Sequence, residues 1–323
     1  MISVLLFLLS FFCKENAVIF FLCRNSDIDT LLNVLDNFED IFNKRYKYPY
    51  LFANDQPFTA DFIERVKSRI SSSAEFIQLD QHEWEVPNWI DQNKLTQSLA
   101  FLEQKGIIHG GSLPYRKMCR FFSGFLHKNR YMLKYDYYWR IEPQHIRFLC
   151  KILYDPFEYM RRNNIEYGFN MNVREIMETI PSLWEHTINF VQNNKNIISN
   201  QKPLEQLIDE NGNYTGCHFW TNFEIANLNF FRSEIYQKYF DYLDRTGNFF
   251  YERWGDAPVH SLAVGIFLGK RKIHFFDDIG YEHTGIIHCP TDPSMQVNCN
   301  CDPRNTIDEH PWSCIRKFIK EDL

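Results

Sequence analysis

The sequence lacks the short motifs that mark several large enzyme classes. No Gly-x-Gly-x-x-Gly and no Gly-x-x-x-x-Gly-Lys-Ser/Thr occurs in it, so dinucleotide-binding and P-loop chemistry have no support. A Gly-x-Ser-x-Gly elbow and a His-Glu-x-x-His motif are also missing, which removes the most common hydrolase interpretations. Internal repeats and low-complexity segments are absent as well. The 323 residues suit one large domain or two small ones.

A net positive charge is missing, and long apolar runs are scarce. The formal net charge is −6, which excludes the basic surface of a nucleic-acid-binding protein. The apolar run Ile2 to Cys13 is shorter than the roughly 20 residues of a membrane span, but it suits the apolar part of a secretory signal. Its basic flank is missing, apart from the terminal amine. We expect residues 1–16 to be a signal peptide or a short signal-anchor, with burial in the fold as the alternative.

Nine cysteines are too few for a small disulfide scaffold, yet four of them lie near the carboxyl end. These are Cys289, Cys299, Cys301 and Cys314. The spacing Cys299-x-Cys301 is not that of a usual zinc knuckle, so disulfides are the first expectation and a zinc site the second. Because disulfides need an oxidising compartment, the chain is expected in the lumen of the secretory pathway, and the sequon at Asn213 is compatible with that location.

Strand-like and helix-like segments alternate over the first eighty residues or so. The predicted strands are Ala17–Cys23, Tyr50–Ala53 and Glu75–Leu79, and the predicted helices are Ile28–Phe42 and Pro57–Arg69. Alternation of this kind favours a doubly wound, mostly parallel sheet. Farther along, we predict helices at Met118–Asn129, Phe157–Asn164 and Ile176–Asn193, and a strand at Tyr131–Ile141. No segment after residue 16 marks a domain boundary, so residues 17–323 are expected to form a single α/β domain.

Aromatic residues make up 17% of the chain, and their flat faces can stack on sugars and bases. In the aromatic run Tyr135–Pro143, Glu142 follows directly on a predicted buried strand. Nucleotide-sugar enzymes hold the cation that neutralises a diphosphate with an acidic residue at such a position. The alternative is a simple acid at a helix start, with Pro143 as the first helical residue.

Four long aromatic-rich blocks carry a resemblance to a known family. They are PYRKMCRF from Pro114, CHFWTNFEIANLNFFRSEIYQKYFDYLD from Cys217, FFYERWGDAPVHSLAV from Phe249 and KIHFFDDIGYEH from Lys272. Together they resemble the fungal α-1,2-mannosyltransferases of glycosyltransferase family 15, over about Val18 to Cys314. The resemblance implies a GT-A nucleotide-sugar fold, with a mostly parallel central sheet flanked by helices. It also implies a Golgi or endoplasmic reticulum lumenal enzyme, membrane-associated if the N-terminal apolar segment is kept.

The resemblance also implies a metal site. In the family the glutamate of the Glu-Pro-x motif, here Glu142, and the histidine that closes the DIGYxH block, here His283, bind manganese. One carboxylate and one imidazole leave the remaining positions of the ion for phosphate oxygens and water, as a catalytic site requires. The pair Asp277 and Asp278 is a competing source of acidic ligands.

By the same resemblance, Glu224 is the candidate for the reacting carbon, because retention of configuration needs a carboxylate nucleophile or a same-face attack. The sequence does not choose between these two routes, and an exposed helix-start acid is the alternative for Glu224. Asp256 is expected on the acceptor side, shaped by Arg253 and Trp254. Its alternative role is a helix cap.

The donor nucleotide is expected to meet Arg24 and Ser26, which match the family's RNS turn and can bind phosphate or ribose. Tyr115 and Arg120 match the family block SYRxMCRF, near the donor phosphates and the transferred sugar. The resemblance also implies that Tyr115 contacts the acceptor sugar. In this chain Pro114 replaces the usual small residue before the tyrosine, which puts its pose in question.

These residues lead to one expected function and two alternatives. The expected function is retaining transfer of mannose from GDP-mannose, with Mn²⁺, to a mannosyl acceptor in O- or N-glycan synthesis. One alternative is a transferase that uses another GDP-sugar or forms another linkage. The other is a carbohydrate-binding relative without catalysis, which would have no reason to keep the metal pair and Glu224 together.

Overall fold

The computed structural model describes residues 14–196, 198 and 203–320. The apolar run Ile2 to Cys13 lies outside the described residues, so the signal peptide or anchor stays a prediction. Within the described part of the chain, no helix has both the length and the apolar character needed to cross a membrane.

The fold is built on a seven-stranded sheet with the order β10-β6-β9-β4-β1-β2-β3. Strand β1 is parallel to β2 and β4, whereas β9 runs antiparallel to β4 and β6. Two small antiparallel sheets, β5-β11-β12 and β7-β8, lie beside it. The strands are β1 Ala17–Leu22, β2 Tyr50–Asn54, β3 Ala74–Gln78, β4 Tyr137–Ile141, β5 Ile146–Phe148, β6 Tyr167–Phe169, β7 Asn172–Arg174, β8 Cys217–Phe219, β9 Phe223–Asn227, β10 Ile273–Phe275, β11 Tyr281–His283 and β12 Ile286–His288.

Helices cover both faces of the central sheet. They are α1 Ile28–Phe38, α2 Lys44–Tyr46, α3 Ala60–Lys67, α4 Gln81–Trp84, α5 Gln92–Gln104, α6 Leu113–Gly124, α7 Pro156–Arg162, α8 Leu183–Asn193, α9 Leu228–Arg232, α10 Glu234–Arg245, α11 Asn248–Tyr251, α12 Asp256–Phe267, α13 Pro293–Gln296 and α14 Ile315–Lys320. In β1, Val18 and Phe20 join the core on one face and Ile19 and Phe21 the core on the other. Burial on both faces explains why β1 reads as a continuous apolar run. This architecture confirms the predicted α/β fold with a mainly parallel sheet.

Several predicted boundaries were wrong, and three of them have a clear local reason. Strand β4 begins at Tyr137 rather than Tyr131, because turns close between Asn129 and Met132 and again between Met132 and Tyr135. Helix α6 begins near Leu113, since the Ser112 hydroxyl accepts the backbone N–H of Tyr115 and so caps the helix. The predicted helix Ile176–Asn193 starts only at Leu183, after a separate short 3-10 turn at Met177–Thr179.

Disulfides join distant parts of the chain. The bonded pairs are Cys150–Cys299, Cys217–Cys314 and Cys289–Cys301. The four carboxyl-terminal cysteines are therefore oxidised, as predicted, although two of them pair with cysteines far upstream. Cys23 and Cys119 are free and buried.

Candidate active site

The candidate site lies where the parallel strands β1 and β4 end. Phe20 of β1 is level with Arg140 of β4, so the turn after β1 and the residue after β4 meet at one edge of the sheet. In α/β proteins ligands bind at this carboxyl edge. Arg24 and Ser26 lie in that turn and are exposed. Their side chains are therefore accessible at this edge of the sheet, and their binding to the nucleotide stays a prediction.

Arg140 is the centre of the polar network at this edge. Its guanidinium donates through Nε to Glu142 Oε1 at 2.9 Å, with Nη2 2.7 Å from the same oxygen, and it donates through Nη1 to Asp256 Oδ2 at 2.5 Å. The group is buried, and its carbon lies 3.5 Å from the centroid of the Phe122 ring. Removed from water, the cation is stabilised by these two carboxylates.

Asp256 is the first residue of α12 and Gly255 is its N-cap, so the predicted capping alternative was wrong. Its Oδ2 also accepts a hydrogen bond from the Thr221 hydroxyl at 2.6 Å. Burial alone would raise the pKa of this carboxyl, but Arg140 and His260 outweigh burial and hold that pKa below its usual value. Asp256 is therefore a buried anion.

Glu224 lies on β9 directly across from Arg140 on β4, and not at the start of a helix. Its carboxyl is wholly buried, at 0% exposure. One oxygen accepts a hydrogen bond from the Tyr138 hydroxyl, and the other lies 2.7 Å from Nδ1 of His260. The structure thus brings Glu224 beside Arg140 and Asp256 but encloses it within the fold.

His283 approaches the same edge from the small sheet, where β11 pairs with β5 just after Glu142. Burial lowers the pKa of its imidazole, and the charge of Glu142 opposes that effect. Nδ1 is buried and has no hydrogen-bond partner in the described residues, while the indole of Trp220 packs edge-on against the ring at 5.0 Å. A neutral imidazole with a free nitrogen beside a carboxylate is a donor set that fits a divalent cation such as Mn²⁺.

The competing acidic pair does not join this site. Asp278 accepts a hydrogen bond from Tyr154 at 3.0 Å. Asp277 belongs to a separate group with His288 and Asp308, whose polar atoms lie within 4.8 Å of one another. The residues that could hold a metal at the carboxyl edge are accordingly Glu142 and His283.

The side chains of Tyr115 and Arg120 have different surroundings, although both residues lie on α6. The Tyr115 ring is stacked on His109 at 4.4 Å, with the Arg253 guanidinium 5.1 Å from its centroid. Burial raises the pKa of the Tyr115 phenol, and Asp256 contributes to that rise, so this side chain lies near the cluster. Arg120 instead pairs through two hydrogen bonds with Asp244, at 2.7 and 2.8 Å. Its charge is therefore paired inside the fold, and its contact with the donor phosphates stays a prediction.

Sequence reasoning missed three residues of the network: Tyr138, Arg140 and His260. Two signals could have identified them. In a strand, residues two apart share a face, which puts Tyr138 and Arg140 in line with Glu142. In a helix, residues four apart share a face, which puts His260 below Asp256.

Comparisons with known proteins agree on one family. The sequence profile of the family described as glycolipid 2-alpha-mannosyltransferase matches residues 10–323. The chain is 46% identical to O-glycoside alpha-1,2-mannosyltransferase omh1 of Schizosaccharomyces pombe, over 94% of this chain and 78% of that protein. It is 44% identical to glycolipid 2-alpha-mannosyltransferase 1 of Candida albicans, over 94% and 71% of the two chains.

Two solved structures are similar throughout. Core-mannan synthase A from Aspergillus fumigatus, in its Mn/GDP form, has a TM-score of 0.89 at 36% identity, covering 95% of this chain and 85% of that one. The mannosyltransferase Ktr4p from S. cerevisiae in complex with GDP has a TM-score of 0.91 at 37% identity, covering 96% and 82%.

Proposed function

The chain belongs to the glycolipid 2-alpha-mannosyltransferase family, and from that premise we propose that it is a metal-dependent, retaining α-1,2-mannosyltransferase. It transfers mannose from GDP-mannose to a mannosyl acceptor. The observation that carries the proposal is the pair Glu142 and His283 beside Arg140, at the carboxyl edge of the sheet. The relatives named as mannosyltransferases and the Mn/GDP and GDP complexes support the same chemistry.

On the donor side, Glu142 and His283 hold Mn²⁺, which when bound supplies positive charge to the leaving diphosphate. Arg140 orients the Glu142 carboxylate through a hydrogen bond from Nε and an ion pair with Nη2, both to Oε1. Arg24 and Ser26, exposed at the end of β1, bind the phosphate or ribose groups of the nucleotide.

On the acceptor side, Asp256 accepts a hydrogen bond from a sugar hydroxyl, and Tyr115 with Arg253 forms one wall of the acceptor pocket. Glu224 supplies negative charge near the reacting carbon, whether it acts as a nucleophile or only stabilises an oxocarbenium-like transition state. The acceptor is a mannosyl glycoprotein or oligosaccharide. The alternatives are another GDP-sugar or linkage, or binding without transfer.

The activity is tested by incubating the protein with GDP-mannose, Mn²⁺ and a panel of mannosides, and by determining the product linkage by NMR. An α-1,2-linked product with retained configuration supports the proposal. Transfer of a different sugar, or formation of another linkage, would show that the protein is a transferase with another GDP-sugar or linkage. Absence of any product, together with tight mannoside binding, would show that the protein binds carbohydrate without transferring it.

Metal binding is tested with Glu142→Ala and His283→Ala. We expect each to raise the Mn²⁺ concentration needed for half-maximal transfer by about tenfold or more, because loss of even an outer-shell partner of a metal costs about that much. Glu282→Ala is the matched control, since its side chain points to the other face of β11 and should leave the titration unchanged. Full transfer in EDTA would contradict the metal assignment.

We further propose that the protein works in the Golgi or endoplasmic reticulum lumen, with residues 1–16 as its signal peptide or membrane anchor. Three disulfides and an exposed sequon at Asn213 support an oxidising lumen. In a eukaryotic host, N-glycosidase should shift the mobility of the full chain but not of Asn213→Gln. An unmodified, reduced protein in the cytosol would contradict this location.

A further inference from the structure

The Glu224 carboxyl has no exposed surface and is bonded at both oxygens. Tyr138 donates its hydroxyl hydrogen to Oε2, and His260 Nδ1 lies 2.7 Å from Oε1. A wholly buried carboxylate without a compensating charge takes up a proton. The proposed function requires Glu224 to be an anion, so its charge needs a source of compensation within the fold.

The hydrogen bonds of His260 fix the number of protons shared with Glu224. Nε2 of His260 lies 3.2 Å from the carbonyl oxygen of Phe122. A carbonyl can only accept, so Nε2 carries a hydrogen. Nδ1 and Glu224 Oε1 are within hydrogen-bond distance, and one proton must lie between them, because otherwise two lone pairs would face each other. The two side chains therefore share one proton, held either by an imidazolium or by a carboxylic acid.

The surroundings favour the imidazolium and the carboxylate. Burial, with the Glu224 charge second, raises the pKa of the Tyr138 phenol, so Tyr138 remains a donor to the carboxylate. Arg140 lies across from Glu224 and is close enough for Glu224 to raise the pKa of its guanidinium, although burial acts in the opposite direction. The His260 ring lies 4.6 Å from the Phe231 ring, and an aromatic ring at that distance attracts a cation.

We propose that His260 is a positioning residue that, as an imidazolium, keeps the enclosed Glu224 charged, while Tyr138 fixes the second oxygen. The proposal rests on the proposed function in that Glu224 acts at the reacting carbon. His260 does not touch substrate. It acts only by holding one proton at Nδ1 against Oε1, and no proton has to move during transfer.

Other titratable groups face this pair from every element packed around it. They are Arg140 on β4, Tyr167 on β6, Tyr236 on α10, His127 after α6, and Asp256 on the same helix as His260. Burial keeps the two phenols protonated by raising their pKa, and burial lowers the pKa of the His127 imidazole. Arg140 and Asp256 therefore both keep their charge beside the pair.

His260→Gln tests the proposal through a pH profile. Glutamine can hydrogen-bond Glu224 but brings no charge, so the buried carboxyl keeps its proton to higher pH. We expect kcat to fall by about tenfold or more near pH 6.5 and to recover as the pH rises, with KM for GDP-mannose within about twofold of the original value. Glu224→Gln should lose kcat at every pH without recovery.

The matched control is His127→Gln. His127 is also buried and also packs against Phe231 and Tyr236, at 5.6 and 5.5 Å. Its Nε2 meets Gln237 rather than a carboxylate, so this variant should keep the original pH profile. A His260→Gln profile that is uniformly lowered and parallel to the original, or a loss confined to KM, would overturn the proposal.

A spectroscopic measurement tests the proton state without any assay. In protein with ¹⁵N-labelled histidine, the signals that disappear in His260→Gln should show two protonated ring nitrogens. The infrared difference between the unsubstituted protein and Glu224→Gln should contain a carboxylate band. A single protonated nitrogen together with a protonated carboxyl band would overturn the proposal. Failure of the mannosyltransferase assay with the expected spectra would instead count against the proposed function alone.

Discussion

At the scale of single residues, Arg140 organises the site. It joins a carboxylate that follows its own strand, Glu142, to one that begins a helix 116 residues away, Asp256. A planar guanidinium can reach two carboxylates with separate N–H groups, whereas an ammonium acts as a point charge. The fork of donors, and not charge alone, is therefore what aligns the two acids.

Arg140→Lys should separate the contribution of the charge from that of the fork of N–H donors. We expect kcat to fall by about a hundredfold, because lysine keeps the charge but cannot hold both Glu142 and Asp256. Arg140→Met should in addition lower the free energy of unfolding by about 3 to 5 kcal/mol, since it leaves buried carboxylates unpaired. Chemical denaturation and steady-state kinetics measure the two effects. Arg147→Lys, at an exposed position of β5, is the control, and equal activity of Arg140→Lys and the original would contradict this role.

At the scale of elements, the small sheet β5-β11-β12 positions His283, and His288 anchors that sheet. Nδ1 of His288 is 2.8 Å from Asp308 Oδ2, and Nε2 is 3.0 Å from the Asp277 carbonyl oxygen, so both nitrogens act as donors. Burial opposes the charged form, but hydrogen bonds and the charges of Asp308 and Asp277 raise the pKa of this imidazole above its usual value.

The raised pKa predicts a pH-dependent stability. A group whose pKa is higher in the folded state contributes its full stabilisation when the pH is below its pKa in the unfolded state, about 6.5 for histidine. That stabilisation is lost as the pH rises through the pKa of the folded state. The difference in melting temperature between the original and His288→Asn should therefore shrink at alkaline pH. Burial lowers the pKa of His274 to about 4, so His274→Asn should show the opposite trend, with the original losing its advantage as the pH falls. Plots of melting temperature against pH that run parallel for the original protein and both variants would contradict both predictions.

The limits of sequence reasoning are also visible at this scale. The start of β4 was misplaced because apolar residues continue upstream of Tyr137, and only the turns after Asn129 show where the strand begins. Every residue of helix α12 is buried, and this burial depends on packing against β8 and α6. Local patterns determine the type of an element, whereas its ends depend on contacts with the rest of the chain.

At the scale of the whole molecule, disulfides attach the carboxyl-terminal segment to the sheets. Cys217–Cys314 closes a sequence separation of 97 residues, and Cys289–Cys301 one of 12. Cys314 lies where the backbone also bonds to Asn172 of β7, which brings Trp312 against Trp220 at 6.0 Å. The Cys217–Cys314 disulfide therefore holds Trp312 against Trp220, whose indole packs on the ring of His283.

Removal of the Cys217–Cys314 and Cys289–Cys301 disulfides should lower the free energy of unfolding by unequal amounts. In the loop-entropy model, a loop of about 97 residues stabilises by about 4 to 5 kcal/mol and one of about 12 by about 3 kcal/mol. We expect Cys217→Ala/Cys314→Ala to lower the free energy of unfolding more than Cys289→Ala/Cys301→Ala does, as measured by denaturant titration. The reverse order would show that local packing, and not chain entropy, dominates.

The sequence by itself determined the alternating α/β order, the oxidised state of the carboxyl-terminal cysteines and the family, because these follow from local periodicity, cysteine spacing and long motif blocks. Only the tertiary structure decided the partners of Arg140, Arg120 and Glu224. Glu224 and His260 are 36 residues apart, and Arg120 and Asp244 are 124 apart. Such pairs form only once strand register and helix packing are set, since a shift of one residue in β9 would turn Glu224 to the opposite face of the sheet.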